Sequence, residues 1–172
     1  MKLRQTPSQT VGPYFAYGLV AEQYGYPLTQ VANGTIAGDG RRISIAGRVF
    51  DGKDEPIIDA LIEIWQSEAG FARYGTGTTP DHSYTFSTIK PQRRSSAEAP
   101  HLTVIVFMRG LLSHLYTRIY FADEVEANKI DSTLSGLPED RRTTLLARSV
   151  GEAEYQFDIH LQGEHETVFF DL

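Results

Sequence analysis

The longest continuous pattern of apolar residues in the chain lies at residues 99–124, where two runs flank a short polar turn. The first run, residues 102–108, is almost wholly apolar, which is typical of a strand covered on both faces. The second run alternates, so that Leu115, Thr117, Ile119 and Phe121 share one side and Tyr116, Arg118 and Tyr120 the other. This stretch therefore predicts two paired strands at the centre of the fold.

Shorter alternating runs predict the remaining strands. They lie at residues 43–50, 60–66, 83–90 and 155–162, and the second of them is open to an earlier start at Ile57. Residues 70–81 are rich in glycine and predict a loop. Residues 124–128 allow one helical turn, and residues 138–148 predict a short helix, since Pro138 suits its first turn and Arg148 its end. At least six strands and one or two short helices indicate an all-β fold, a β-sandwich of mostly antiparallel strands.

The N-terminal region, residues 1–40, lacks a regular period. Two prolines and a glycine within residues 6–14 favour extended or turn backbone. The apolar side chains that follow, from Phe15 to Val20, are too numerous for a loose tail, so this arm is expected to pack on the core. We predict one domain over residues 1–172, with the arm and a loop in residues 1–40 and the sandwich core in residues 41–172.

Composition and charge remove several functional classes. The chain has 172 residues and a formal net charge of −6, so it offers no basic surface for nucleic acid. It has no cysteine, which excludes disulfides and thiolate metal sites. The first ten residues contain no apolar segment of a signal peptide, and no apolar run reaches membrane-spanning length. We therefore expect a cytoplasmic protein without membrane or nucleic-acid partners.

The polar residues do not form a complete catalytic set. None of the five histidines (His82, His101, His114, His160, His165) has the spacing of a zinc motif, and no Gly-x-Ser-x-Gly sequence is present. Glu63, between isoleucines, is expected to be partly buried in a structural ion pair. His101, at the start of the central strand pair, is open to interpretation as a metal ligand, a remnant of one, or ordinary polarity at a strand start. The nine tyrosines are a weak indication of ferric iron, for which tyrosinate is a suitable ligand.

Several segments together resemble the intradiol ring-cleaving dioxygenases. The matching segments run through the whole chain: Thr6-Pro-Ser-Gln-Thr-Val-Gly-Pro-Tyr14, Ile45-Ala-Gly-Arg-Val-Phe-Asp-Gly52, Leu61-Ile-Glu-Ile-Trp-Gln66, Thr88-Ile-Lys-Pro91, Ala99-Pro-His101, Arg109-Gly110, Thr117-Arg-Ile-Tyr-Phe121, Phe157-Asp-Ile159 and Gly163-Glu-His-Glu-Thr-Val-Phe-Phe-Asp-Leu172. They are specific as a set, although none is decisive alone.

The resemblance implies that this chain has lost the family's iron site. Catalytic chains of the family hold non-haem ferric iron with two tyrosines and two histidines. His101 matches the first histidine, but Thr103 stands in place of the second, and Arg94 in place of one tyrosine. The other tyrosine position falls on Arg73, with Tyr74 offset by one residue. Since a cation repels Fe³⁺, we predict that this chain binds no catalytic iron and that His101 is a vestigial ligand.

The same pattern is that of the alpha subunit in the two-subunit members of the family. The resemblance implies that a partner beta subunit holds the Fe³⁺, that the pair assembles into a higher hetero-oligomer, and that the substrate is a small aromatic molecule. Gly12, Pro13, Tyr14 and Arg109 are the implied substrate-binding residues. The implied reaction is intradiol cleavage of 3,4-dihydroxybenzoate by O₂ to 3-carboxy-cis,cis-muconate. The alternatives are a non-catalytic β-sandwich scaffold or binding subunit, in which the arm and the C-terminal tail serve only assembly, and a subunit acting on another catechol.

Overall fold

Nine strands and four short α-helices make up the fold in a computed structural model that describes residue 4 and residues 6–12, 14–67 and 69–171. The strands are β1 (Arg42–Phe50), β2 (Leu61–Gln66), β3 (Gly70–Gly75), β4 (Ser83–Ile89), β5 (His101–Phe107), β6 (Leu115–Phe121), β7 (Leu146–Ser149), β8 (Glu154–Gln156) and β9 (Ile159–His160). The α-helices are α1 (Phe15–Leu19), α2 (Val125–Ile130), α3 (Ser132–Ser135) and α4 (Glu139–Arg142). Three 3₁₀ helices cover Ala21–Tyr24, Thr76–Thr78 and Thr143–Leu145. None of the described helices is both long and apolar enough to cross a membrane.

The strands follow the order β3-β2-β5-β6-β7-β8-β1-β4, and β9 pairs with β1. Pairing is parallel between β6 and β7 and between β1 and both β8 and β9, and antiparallel elsewhere. The half containing β2 and β5 faces the half containing β1 and β4 across a single core, where Ile64 and Val104 pack with Ile45 and Phe86. The predicted all-β sandwich of mostly antiparallel strands is confirmed.

The central strand pair lies where the sequence predicts it. Alternate residues of β5 (Leu102, Val104, Val106) are fully buried, and the predicted two sides of β6 are confirmed by the burial of Thr117, Ile119 and Phe121. The opposite face of β5 is only half-buried, however, so the prediction that both faces are covered was wrong. The reason is that the arm covers this outer face mainly at its far end, where the Phe15 ring lies 5.6 Å from that of Phe107.

Two sequence predictions of local structure were wrong. The predicted helix at residues 138–148 ends at Arg142, and Leu146–Ser149 forms β7 instead, because Ala147 is buried between β6 and β8 and the isolated helix is too short to persist without packing. The predicted loop at residues 70–81 begins with β3, all six residues of which pair with β2. Glycines at both ends of β3 conceal its short alternation. The number of described α-helices, four, also exceeds the one or two expected.

The last predicted strand, at residues 155–162, is divided into β8 and β9. Its alternation is confirmed, since Tyr155, Phe157 and Ile159 are buried. Between the two strands the Phe157 carbonyl accepts a hydrogen bond from the Tyr84 hydroxyl and lies directly against Gly47. A Cβ at residue 47 would lie 1.7 Å from that oxygen, so this crossing requires glycine.

Both termini pack on the outer face of the β2–β5–β6 sheet. In the arm, Ala16 and Val20 are buried against Leu61, which confirms that the arm packs, although it forms a helix and a 3₁₀ helix that its sequence did not predict. At the C-terminal end the Phe170 amide donates to the Tyr116 carbonyl at 2.8 Å, and Val168 and Phe170 join a second apolar cluster. The outer surface of β5 between these two covers is therefore left accessible.

Candidate functional site

Two clefts lie at opposite ends of β5. The larger, about 700 Å³, is formed by residues 65–67 at the end of β2, residues 89–94 after β4, and His101 and Thr103 at the start of β5. We call it the His101 cavity. The smaller, about 290 Å³, is formed by Gly12 and Phe15 of the arm, Asp59, His82 and Arg109, which follows β5. We call it the arm pocket.

His101 is held by the backbone that precedes it. Its Nδ1 donates to the Ala99 carbonyl at 2.9 Å, so in the neutral ring Nε2 carries the free lone pair. The Ala99 amide in turn donates at 2.8 Å to the fully buried carboxylate of Asp131. Burial lowers the pKa of His101, and the nearby Arg118 cation lowers it further. The side chain is therefore a fixed, neutral acceptor at neutral pH.

The residues at the four iron-ligand positions do not fit ferric iron. Arg94 donates its Nε to the Ser67 hydroxyl at 2.9 Å, and Arg73 forms a buried ion pair with Glu63 at 2.6 Å. Tyr74 faces the opposite side of β3, with its ring 6.1 Å from that of Phe86 in the core. Within the described residues no three histidine, aspartate or glutamate side chains converge on a possible metal position. One neutral histidine beside two cations is an unsuitable donor set for Fe³⁺.

The Glu63–Arg73 pair shows what partner Glu63 has and on which face of β3 Tyr74 lies. Glu63 is 5% exposed, and the Trp65 indole N–H donates to its other oxygen at 3.0 Å, so the predicted buried ion pair is confirmed. Because β3 alternates, Arg73 shares the outer face with Glu63 while Tyr74 faces inward. The offset tyrosine therefore does not reach the His101 cavity.

The arm pocket unites two of the four predicted substrate-binding residues. Gly12 and Arg109 both line it, and the Gly110 amide donates to the Thr10 hydroxyl at 2.8 Å, which fixes the arm against the turn after β5. Tyr14 stands on the arm beside the pocket, 78% exposed, with its ring 5.8 Å from that of Tyr17. Pro13 lies outside the described residues.

Arg109 already has an anionic neighbour. Its Nε donates to a carboxylate oxygen of Asp59, and about half of the arginine side chain remains exposed. Sequence reasoning missed Asp59, as well as His82, which lines the same pocket with a left-handed backbone at φ 56°. Neither position carries a motif; only the pairing of β2 with β5 brings residue 59 to the end of β5. The arrangement can present the terminal guanidinium nitrogens to an anion while Asp59 holds the side chain in place.

Comparisons with known proteins identify the family of this chain. A family model described as "Dioxygenase" matches residues 10–95. The chain is 44% identical to the protocatechuate 3,4-dioxygenase alpha chain of Burkholderia cepacia, over 99% of this chain and 98% of that protein. The chain belongs to the intradiol ring-cleavage dioxygenase family. Members of this family are iron-dependent, which makes the unsuitable donor set around His101 a property of this chain.

One further relative supports the assignment, and one solved structure shares the fold. The chain is 31% identical to the protocatechuate 3,4-dioxygenase beta chain of Burkholderia cepacia, over 74% of this chain and 67% of that protein. The dioxygenase domain of a dioxygenase–carbohydrate-binding protein fusion from Streptomyces sp. SirexAA-E superposes with a TM-score of 0.61 at 24% identity, covering 96% of this chain and all of that domain. The structural likeness shows that the intradiol fold is shared.

Proposed function

We propose that this chain is the alpha subunit of a protocatechuate 3,4-dioxygenase. Together with a beta subunit it would open the ring of 3,4-dihydroxybenzoate between its two hydroxyls, and both atoms of O₂ would enter the product, 3-carboxy-cis,cis-muconate. The observation that carries the proposal is the 44% identity to an alpha chain over nearly the full length of both proteins. The similarity to a beta chain is lower and covers less of either protein.

The iron is assigned to the beta partner because the donor set of this chain does not fit it. Bound there, ferric iron would coordinate the ring hydroxyls and supply the redox chemistry. The contribution of this chain is to bind and orient the substrate and to exclude water from it. The two chains would form a pair that assembles into a higher hetero-oligomer.

Arg109 is proposed to bind the substrate carboxylate from the arm pocket. Asp59 occupies its Nε, so the terminal nitrogens remain for a charge-assisted, bidentate contact. Asp59 is then a positioning residue, since it acts only through Arg109. Gly12 leaves its surroundings open, because no atom lies within 4 Å of where its Cβ would be. Tyr14 and Pro13 would contact the aromatic ring.

The test compares two substrates in the complex of this chain with a beta subunit. Arg109→Met should raise KM for 3,4-dihydroxybenzoate about tenfold or more, the effect of losing one charge-assisted contact. KM for catechol, which has no carboxylate, should change little, and iron content should stay the same. Arg148→Met is the matched control, because Arg148 is an exposed arginine on β7 that lines neither cleft. Equal losses on both substrates, or none on either, would remove the proposed contact.

The Arg109–Asp59 pair also favours a second candidate, a purely structural scaffold. In that case the pair merely fastens the turn after β5, and the arm serves assembly. Arg109→Met and Asp59→Asn would then weaken association with the beta chain, measured by sedimentation, without a substrate-dependent change in KM. The binding proposal expects the opposite: intact assembly and a KM effect confined to the carboxylated substrate.

A further inference from the structure

The proposed function makes no use of the His101 cavity. The His101 cavity, at about 700 Å³, is more than twice the volume of the arm pocket. This volume is in the range of small-molecule sites and exceeds what a single aromatic ring needs.

Three cations and one carboxylate, that of Asp39, line the cavity, and the cations differ in how they are paired. Lys90 is neutralised, because its ammonium lies 2.7 Å from both Asp123 and Glu124. Arg93 instead donates to two backbone carbonyls, those of Ser96 and Glu98, and Arg94 donates to the Ser67 hydroxyl. Among the described residues no carboxylate lies within ion-pair distance of either arginine. Two guanidinium groups bonded only to neutral acceptors therefore border this cavity, in a chain whose net charge is −6.

Arg94 has the geometry to bind a carboxylate. Its Nε is occupied by Ser67, which fixes the plane of the guanidinium. Its two terminal nitrogens retain a pair of N–H groups in the fork arrangement that matches the two oxygens of a carboxylate. A lysine at this position would offer only a point charge. Recognition of a planar acid is the chemistry that this side chain is best suited to.

The cavity wall supplies an aromatic surface. Trp65 is 41% exposed although it lies in a central strand, and its ring stacks on Phe71 with centroids 4.3 Å apart and planes 10° from parallel. Its indole N–H is already satisfied by Glu63. The indole therefore offers the cavity an immobilised apolar surface without a competing polar group, which suits contact with another aromatic ring.

A hydrogen-bond acceptor completes the site. Because His101 donates from Nδ1 to the Ala99 carbonyl, its Nε2 lone pair is available to accept a hydrogen bond from a hydroxyl. The neighbouring Thr103 hydroxyl also lines the cavity. A guanidinium for a carboxylate, an indole for a ring and an imidazole for a ring hydroxyl together define one ligand class.

We propose that the His101 cavity is a metal-free binding site for a small aromatic carboxylate that carries a ring hydroxyl. Arg94 binds the carboxylate, Trp65 contacts the ring, and His101 Nε2 accepts a hydrogen bond from the hydroxyl. This proposal depends on the cavity of this chain alone. It stands whether or not a beta subunit holds iron or Arg109 binds substrate.

The site carries its own spectroscopic probe, because Trp65 is the single tryptophan of the chain. The experiment titrates the purified full-length chain with 4-hydroxybenzoate, following tryptophan fluorescence and, independently, the heat of binding. We expect a saturable change in both signals with the same Kd. In Arg94→Gln the Kd should rise about tenfold or more. His101→Leu, which removes the acceptor but leaves the guanidinium, should weaken binding to a smaller degree.

Two controls separate this site from non-specific anion binding. Arg148→Gln removes an exposed arginine outside the cavity that also donates to a neutral acceptor, the Gln156 side-chain oxygen, and it should leave the Kd unchanged. The ligand 4-hydroxybenzyl alcohol, which has the ring and hydroxyl but no carboxylate, should bind weakly and be insensitive to Arg94→Gln. The proposal is overturned by the absence of saturable binding, by equal affinities of the wild type and Arg94→Gln, by equal losses in Arg94→Gln and Arg148→Gln, or by displacement with sulfate at a comparable concentration.

Discussion

The two ends of β5 differ in how their positive charges are balanced. At its start, in the His101 cavity, Arg93 and Arg94 contact only neutral groups among the described residues. Beyond its end, in the arm pocket, Arg109 is paired with Asp59. In the His101 cavity two arginines therefore have no ion-pair partner among the described residues, whereas the arginine of the arm pocket has an acid beside it.

This contrast shows that residue identity and availability are separate properties of a site. Arg109 occupies the position that the family resemblance indicates, yet Asp59 determines how much of its charge an incoming acid encounters. Arg94 stands where the resemblance places a metal ligand, yet it keeps two terminal nitrogens without a described carboxylate partner. A motif supplies the residue type, while the neighbours decide whether its charge is free to act.

The largest effect is expected from the buried Glu63–Arg73 pair, which occupies the side of β3 where a tyrosine ligand would stand. Glu63→Ala leaves the Arg73 guanidinium, 13% exposed, without its partner. We expect a loss of about 3–5 kcal/mol in the free energy of unfolding, measured by urea denaturation, since removing one member of a buried pair strands the other charge.

Two variants make this expectation testable. The double replacement Glu63→Leu with Arg73→Leu should recover most of the loss, because it strands no charge. Glu126→Ala, which breaks the exposed pair with Lys129, should cost less than about 1 kcal/mol. A cost for Glu63→Ala no greater than that of the exposed pair would show that solvent reaches this side of β3. The Glu63–Arg73 pair would then not be a buried ion pair.

A smaller effect is expected in the turn that carries Arg109. Gly110 has φ 95°, a left-handed conformation that a side chain strains, so Gly110→Ala should cost about 1–2 kcal/mol of stability. Gly12→Ala, on the opposite wall of the arm pocket, should change stability by less than about 0.5 kcal/mol, because its surroundings are empty. Thermal denaturation of both variants tests the difference, and equal costs would contradict the described turn.

The sequence predicted the sandwich and its central strands because their alternation is long and regular. It missed β3 and β7, since each is a short segment whose strand state depends on pairing with neighbours distant in the chain. For the site, Gly12 and Arg109, which the motifs named, line one pocket, and their binding role stays a prediction. The motifs could not indicate Asp59, whose approach to Arg109 arises from strand register, or the uncompensated state of Arg94, which depends on where every nearby carboxylate lies.

A modest effect is expected from the contact that holds the arm on the pocket. Thr10→Val removes the hydroxyl that accepts a hydrogen bond from the Gly110 amide but keeps the side-chain shape. Because this hydrogen bond is exposed, we expect a loss of about 0.5–1.5 kcal/mol in arm docking, seen as faster proteolysis of the arm. In the complex with a beta chain, KM for 3,4-dihydroxybenzoate should rise a few-fold. Unchanged proteolysis would mean that the apolar contacts of Ala16 and Val20 alone hold the arm.

The smallest effect concerns the proton on His101. Burial lowers its pKa in the folded chain, whereas in the unfolded chain it titrates near its ordinary value of about 6.5. Between these two values the unfolded state binds more protons, so stability rises with pH through this window. The contribution of His101 is therefore complete above about pH 6.5 and is lost as the pH falls toward the folded pKa. The ring signals of His101 in an NMR titration should report that lower value directly.

His101→Gln provides the matching stability measurement. The variant cannot titrate, so its free energy of unfolding should depend less on pH than that of the wild type between about pH 5 and 7. An ordinary pKa for His101, with the same pH dependence in both proteins, would show that water reaches the imidazole as freely as it reaches the exposed Arg109. The two ends of β5 would then differ only in how their cations are paired, and Nε2 of His101 would be a solvated atom instead of the preorganised acceptor that the cavity geometry indicates.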